Sequence, residues 1–200
     1  MPGLFVTLEG IDRAGKTTQA RLLCEALGDR ALAVREPGGT AVGERVREVL
    51  KDPTVLVGGR TEALLFAAAR AELVSDVIKP ALADGKIVIS DRFLDSSLAY
   101  QGGARGLGVE DVERVNEFAT GGLRPDVTIL LDLPLAAAAA RAGVEVVRFE
   151  REGAGLQERV RATYSELAAR DPDRWVLIAA DRDPDAVHRD VLAVVEGVLA

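Results

Sequence analysis

The sequence is poor in cysteine, lysine and aromatic residues, and it has no long apolar run. The single cysteine, Cys24, excludes an intrachain disulfide framework and fits a reducing, cytoplasmic setting. No stretch reaches about 18 apolar residues without a charge, so no membrane-spanning helix is expected. The opening MPGLFVTLEGIDRAGK has an apolar run that is short and ends in charge, unlike a signal peptide. A formal net charge of −7 lacks the basic excess of a general nucleic-acid binder. It leaves room for a small anionic ligand, which a few local cations can hold. Asparagine occurs once, as Asn116 followed by Glu117, so the N-K-x-D segment that reads guanine in nucleotide switches is missing. The single histidine, His188, is expected on the surface of the terminal helix.

What is present suggests one α/β domain spanning residues 1–200. At 48% hydrophobic residues the chain can bury about 70% of its unfolded surface. Apolar, β-branched runs at 4–9, 31–35, 86–91, 127–132 and 175–179 read as strands. Helical periods occupy 15–27, 43–50, 60–84, 110–120, 135–141, 158–170 and 184–199, the last with Asp183 as cap before Pro184. Four of the five strands are continuous apolar runs and helices separate them all. That is the pattern of a five-stranded parallel sheet with helices on both faces. Such sheets bind ligands beyond the carboxyl ends of their strands. The polar residues there lie at 9–17, 35–39, 91–103, 132 and 180–182.

One motif carries chemistry. Gly10, Ile11, Asp12, Arg13, Ala14, Gly15, Lys16 and Thr17 match G-x-x-x-x-G-K-[ST] between a strand and a helix, which marks a P-loop NTPase fold. The glycines let backbone N–H groups face a phosphate chain, and the helix start adds its positive dipole end. Lys16 can reach the β- and γ-phosphates, and the Thr17 hydroxyl can ligate Mg²⁺. With 20 glycines and 4 lysines in 200 residues, a chance match has a probability of roughly 0.3%. A P-loop alone does not specify the reaction. Five strands in 200 residues leave no room for motor or helicase insertions, so a small kinase with a small acceptor fits best.

Acceptor candidates follow the other strands. Asp91 can hold the water shell of Mg²⁺ and Arg92 can grip a phosphate bidentately, or the pair only caps a strand. Phe66 and Arg70 share a helix face at i and i+4, to stack on a base and donate to its carbonyl, or Phe66 is simply core. Residues 35–39 (REPGG) form a tight loop by composition and are either a ligand contact or a turn.

The blocks LEGIDRAGKTTQ, REPGGT, LLFAAARAE, SDRFLDSSLAYQGGARGLG and PDVTILLDLP, in this order, resemble the bacterial thymidylate kinase family. The resemblance covers most of the chain and is weakest between Arg141 and Gly155. It implies transfer of the γ-phosphoryl of ATP to thymidine monophosphate with Mg²⁺, in dTTP synthesis, by a homodimer. It implies that the P-loop through Thr18 binds ATP. Phe66 would stack on thymine, and Arg70 would donate to its O4. Ser97 and Gln101 would lie at the base edge, and Tyr100 beside the 2′ carbon of the sugar. Arg47 and Arg92 would hold the acceptor phosphate, with Asp12 and Glu36 near acceptor and metal. Asp91 would serve the metal's water shell, and Asp132 would be a strand-end or phosphate-region support rather than a ligand. A short lid at about 141–155 keeps Arg148-Phe149-Glu150 but lacks the usual Arg-Gly and Asp before it. Many bacterial members have Gly where Arg13 stands, so among the catalytic set Asp12, Arg13, Lys16, Arg92 and Arg148 the main transition-state cation is expected to be Arg13, with the lid's Arg148 secondary.

On this reading no general base is needed, because a phosphate oxygen is already nucleophilic at neutral pH. Positioning and charge stabilisation do the rest. Two rivals stay open: another small-molecule P-loop kinase, and a nucleotide-binding regulator without turnover.

Overall fold

Residues Leu4–Glu9 form strand β1 and are buried at all six positions, so both faces of this strand are covered. Strand β2 spans Ala31–Arg35, β3 Ile87–Asp91, β4 Val127–Asp132 and β5 Trp175–Ala179. The strands form one parallel sheet in the order β2-β3-β1-β4-β5. The computed structural model describes residues 3–141 and 154–200. The expected lid, Arg148 included, lies almost wholly outside the described residues.

The helices are α1 (Lys16–Leu27), α2 (Ala41–Lys51), α3 (Gly59–Leu73), α4 (Lys79–Ala83), α5 (Leu94–Ser97), α6 (Val109–Thr120), α7 (Leu135–Ala140), α8 (Ala154–Arg170) and α9 (Pro184–Leu199). Local chemistry sets their ends. The Thr40 hydroxyl accepts the Gly43 N–H at 3.0 Å at the start of α2, and Asp183 accepts the Asp185 N–H at 3.0 Å at the start of α9. Gly121, with φ 57°, closes α6 in the left-handed conformation.

Strand residues alternate between faces. Phe5 packs edge-on against Phe93 with ring centroids 4.9 Å apart, and Glu9 bonds to Ser96 of α5. The odd residues of β1 therefore face the layer of α5. Helices α1 and α9 pack on each other and on the sheet. The centre of this double-sided core includes Val6, Leu8, Leu23, Val88, Ile89, Ile129 and Val191, all excluded from solvent.

The chain leaves central β1 toward β2 and β3 on one side, and later toward β4 and β5 on the other. This opens a crevice at the carboxyl end of β1. In register, Leu8 lies opposite Asp91 and Glu9 opposite Leu130, so β1 and β3 end within a residue of each other while β4 runs two residues further, to Asp132.

Several boundaries differ from the sequence reading. The helix expected over 60–84 becomes α3, a π-helical segment Val74–Ile78 and α4, and ends before Asp84. Residues 94–104, which show no apolar period, fold as α5 followed by a second π-helical segment, Leu98–Ala104. Burial on nearly every side removes the periodic signal there. His188 is half-buried rather than on the surface, with Nδ1 lacking a partner among the described residues.

Truncation of Leu23, which has no exposure, tests the core under β1 and β3. Leu23→Ala is expected to cost about 2–5 kcal/mol, read as a lower urea midpoint with an unchanged slope.

Candidate active site

The loop between β1 and α1 is shaped by its backbone. Gly10 has φ 141°, and a Cβ there would stand 2.6 Å from the Leu131 carbonyl oxygen, so the residue must be glycine. Ile11 and Ala14 bury their side chains in the core, leaving only their backbones for a ligand. Arg13 holds φ 67°, an unusual conformation for a residue with a side chain, and it lines the cleft. Lys16 is buried, and its Nζ donates to the carbonyls of Gly10 (3.1 Å) and Ile11 (2.7 Å). Thr17 Oγ1 donates to Asp91 Oδ2 at 2.5 Å, which brings the two expected metal ligands together across β1 and β3. Thr18 is exposed and does not line the cleft.

Arg92 is the second left-handed residue, with φ 73°, and its N–H is tied to the Leu8 carbonyl at 3.1 Å. The turn sends its guanidinium back over the P-loop. Nη2 donates to Asp12 Oδ1 at 2.6 Å and to the Tyr100 hydroxyl at 3.2 Å. Nη1 donates to Gly10 O, Ser96 Oγ and Tyr164 OH at 3.2, 3.0 and 3.4 Å. The cation also lies 4.9 Å from the centre of the Tyr100 ring.

A cleft of about 470 Å³ joins these groups to Arg35, Glu36, Pro37, Arg47, Leu50, Lys51, Phe66, Arg70, Ser96, Ser97, Tyr100 and Gln101. Seven of its lining residues are basic and three acidic, inside a chain of net charge −7. The cleft is a local cationic basin built for an anion.

The far end of the cleft is rigid. Arg70 is 1% exposed, and all five of its N–H groups have acceptors. Nε and Nη2 bond the Glu36 carboxylate, and Nη2 also bonds Phe93 O at 3.1 Å. Nη1 bonds Ser97 Oγ at 3.1 Å and the Asn116 side-chain oxygen. Gln101 donates to Glu62 at 2.8 Å, and Arg105 clamps both oxygens of Glu62 at 2.6 and 3.0 Å. Arg47 donates to Pro37 O at 2.9 Å, and the Glu36–Pro37 peptide is cis.

Burial governs the charges. It pushes Lys16 down to about 8, with Arg92 acting in the same direction and Asp91, Asp12 and Glu9 opposing. Burial, helped by nearby Asp95, raises Glu9 to about 7. For Asp12 burial acts upward, but Arg92, Lys16, Tyr100 and Gln157 together hold it below the usual carboxylate range. Burial keeps Glu36 above that range even beside Arg70.

Sequence reasoning brought Asp12, Arg13, Lys16, Thr17, Glu36, Arg47, Phe66, Arg70, Asp91, Arg92, Ser97, Tyr100 and Gln101 to one cleft, and the structure places them there. It missed Glu62, Arg105, Asn116, Tyr164 and Gln157. Glu62 had a signal, since Glu62, Phe66 and Arg70 are spaced by four on α3. Gln157 had none: its amide accepts the Asp12 N–H at 3.2 Å and donates to Asp12 Oδ2 at 2.8 Å across 145 residues of chain. Asp132, at the end of β4, is clamped by Arg161 at 2.7 and 2.9 Å.

A P-loop between β1 and α1, opening on a cationic cleft at the carboxyl ends of this parallel sheet, is the arrangement of a P-loop phosphotransferase. A sequence model of the family described as Thymidylate kinase matches residues 8–191. A thymidylate kinase of Desulforudis audaxviator (strain MP104C) is 52% identical over 205 residues, covering 100% of this chain and 93% of the relative. Those of Symbiobacterium thermophilum and Thermoanaerobacter sp. (strain X514) are 49% and 47% identical, covering 98% and 100% of this chain and 94% and 100% of their own lengths. The chain belongs to the thymidylate kinase family.

The depressed Lys16 has a measurable consequence. At pH 8 the free protein carries it about half-protonated, and a triphosphate beside it restores the proton. Nucleotide binding at pH 8 is therefore expected to take up about half a proton more than in Lys16→Met. Calorimetry in buffers of different ionisation enthalpy measures the difference.

Proposed function

We propose that this chain phosphorylates thymidine monophosphate to the diphosphate with ATP and Mg²⁺. It does so as one catalytic domain closed by a short lid at about 141–155. The observation that carries the reading is the family match over residues 8–191, on a chain whose P-loop and Asp91–Arg92 pair line the same cleft as Phe66 and Gln101.

The P-loop N–H groups and Lys16 bind the β- and γ-phosphates, with Lys16 exchanging its Gly10 and Ile11 carbonyls for phosphate oxygens. Thr17 and Asp91 are hard oxygen donors already adjacent, the set that suits Mg²⁺, which keeps most of its waters and takes one or two protein oxygens. Bound there, the metal neutralises charge on the phosphates. Arg92 and Arg47 hold the acceptor phosphate, and Asp12 and Tyr100 fix Arg92. Phe66 stacks on the base, with Ser97 and Gln101 at its edge. Arg70 holds Glu36 and reads a base carbonyl by exchanging the proton it now gives Ser97. An acceptor phosphate oxygen bonds to the γ-phosphorus as the bond to the bridging β–γ oxygen breaks, giving ADP and thymidine diphosphate. Charge on the transferring group is met by Lys16, Arg13 and, to a lesser degree, Arg148 of the lid.

A second copy of the chain is the partner supported by the face of α2, α3 and α6. There Val42, Val49, Leu64 and Phe118 are exposed, Phe118 by 92%. Among the described residues no helix is long and apolar enough to cross a membrane.

ADP release across a panel of nucleoside monophosphates tests the assignment. Thymidine monophosphate is expected to give the highest kcat/KM. A different preferred base would make this another nucleotide kinase, and no release would make it a regulator. Arg13→Gly is expected to lower kcat on the order of 10²-fold with little change in nucleotide Kd. The φ of 67° suits glycine, so the backbone tolerates the change. Arg148→Ala is expected to cost less. The reverse order, measured under identical Mg²⁺, would place the main catalytic cation in the lid.

A further inference from the structure

Glu9 lies at the end of β1, has no exposure and does not line the cleft. A fully buried carboxylate is retained only where its oxygens are satisfied. One oxygen accepts the Phe93 N–H at 2.8 Å. The other accepts Ser96 Oγ–H at 2.6 Å and Tyr164 O–H at 2.7 Å. Each hydroxyl has one proton, and the two oxygens also lie 2.9 Å apart, so Glu9 draws both protons directly or draws one and receives the other through its neighbour. Both hydroxyl oxygens are thereby left with lone pairs for a donor on their other side, and that donor is Arg92 Nη1, at 3.0 and 3.4 Å. Asp12 and Tyr100 hold the opposite nitrogen, Nη2. The guanidinium is clamped at both ends, and at Nη1 Glu9 directs the hydroxyl pair that stands beside the Gly10 carbonyl as acceptor.

We propose that Glu9 is a positioning residue for acceptor binding, acting through Ser96 and Tyr164 to fix the guanidinium of Arg92. The proposal rests on the reading that Arg92 grips the acceptor phosphate. Neither Glu9 nor Tyr164 lines the cleft, so their effect reaches the acceptor through Arg92. A near-isosteric amide reverses the polarity. In Glu9→Gln the amide oxygen must face the Phe93 N–H, since the NH₂ would oppose it donor to donor. The NH₂ then donates to both hydroxyls, whose own protons turn toward the donors of Arg92.

The test is steady-state kinetics at pH 8.5, above the range in which burial favours a protonated Glu9, with urea unfolding as the fold control. Glu9→Gln is expected to raise the KM for thymidine monophosphate about tenfold while the KM for ATP stays within twofold. Tyr164→Phe, which removes one leg of the clamp and preserves shape, is expected to raise the same KM several-fold. In a Ser96→Ala/Tyr164→Phe background the further effect of Glu9→Gln is expected to vanish, because the relay is already gone. Arg92→Lys tests the underlying reading. If it leaves the acceptor KM unchanged, the role of Arg92 falls and the proposal with it. If Arg92→Lys raises that KM but Glu9→Gln and Tyr164→Phe behave as wild type, the role of Glu9 alone is overturned. A Glu9→Gln effect of equal size in the hydroxyl-deleted background, or equal loss of both substrates, also overturns it.

Discussion

One half-buried guanidinium ties the site together. Arg92 leaves the end of β3 in a left-handed conformation, returns over the P-loop and takes acceptors from the P-loop, α5, the second π-helical segment and α8. A charge largely out of water needs acceptors around it. Asp12, Tyr100, Ser96, Tyr164 and the Gly10 carbonyl supply them at Nη1 and Nη2. The same requirement accounts for the burial of Glu9, which would otherwise be a costly carboxylate in a strand. The strain at φ 73° and the desolvation of Arg92 and Lys16 are offset by the sheet core beneath them.

The electrostatic design is local. The chain carries a net charge of −7, yet its cleft gathers seven basic residues against three acidic ones. Desolvation makes that basin stronger than the same charges on a surface. Several cations are pre-engaged: Lys16 by its own loop carbonyls, Arg47 by Pro37 O and Arg70 by Glu36. The two ends of the cleft differ in kind. The P-loop end gathers Arg13, Lys16 and Arg92, whereas the Arg70 guanidinium at the other end has an acceptor for each of its N–H groups.

Much of this was legible along the chain. All five strands, the P-loop and the Asp91–Arg92 pair could be read because β-branched apolar runs and a fixed glycine–lysine spacing are short-range signals. Residues 94–104 could not, since a helix buried on nearly every side has no polar stripe to mark its period. The π-helical segments were equally silent, although the second carries Tyr100 and Gln101 into the cleft. Arg70 looked like a free base-reading donor from its position beside Phe66. Its five engaged N–H groups appear only once Glu36, the Phe93–Ser97 segment and Asn116 converge from three separate parts of the chain.

The sequence by itself determined the sheet, the phosphate loop and the chemistry available, because these depend on local periodicity and on residue types at fixed short spacing. Only the tertiary structure decided which of those residues meet. The parallel register that sets Leu8 opposite Asp91 brings Thr17 to Asp91 and Arg92 to Asp12. Packing of α8 against the same crevice adds Gln157 and Tyr164 from about 145 and 155 residues away. Contacts over such separations are fixed by how layers stack and where buried charges find partners, and no local pattern in the chain encodes that.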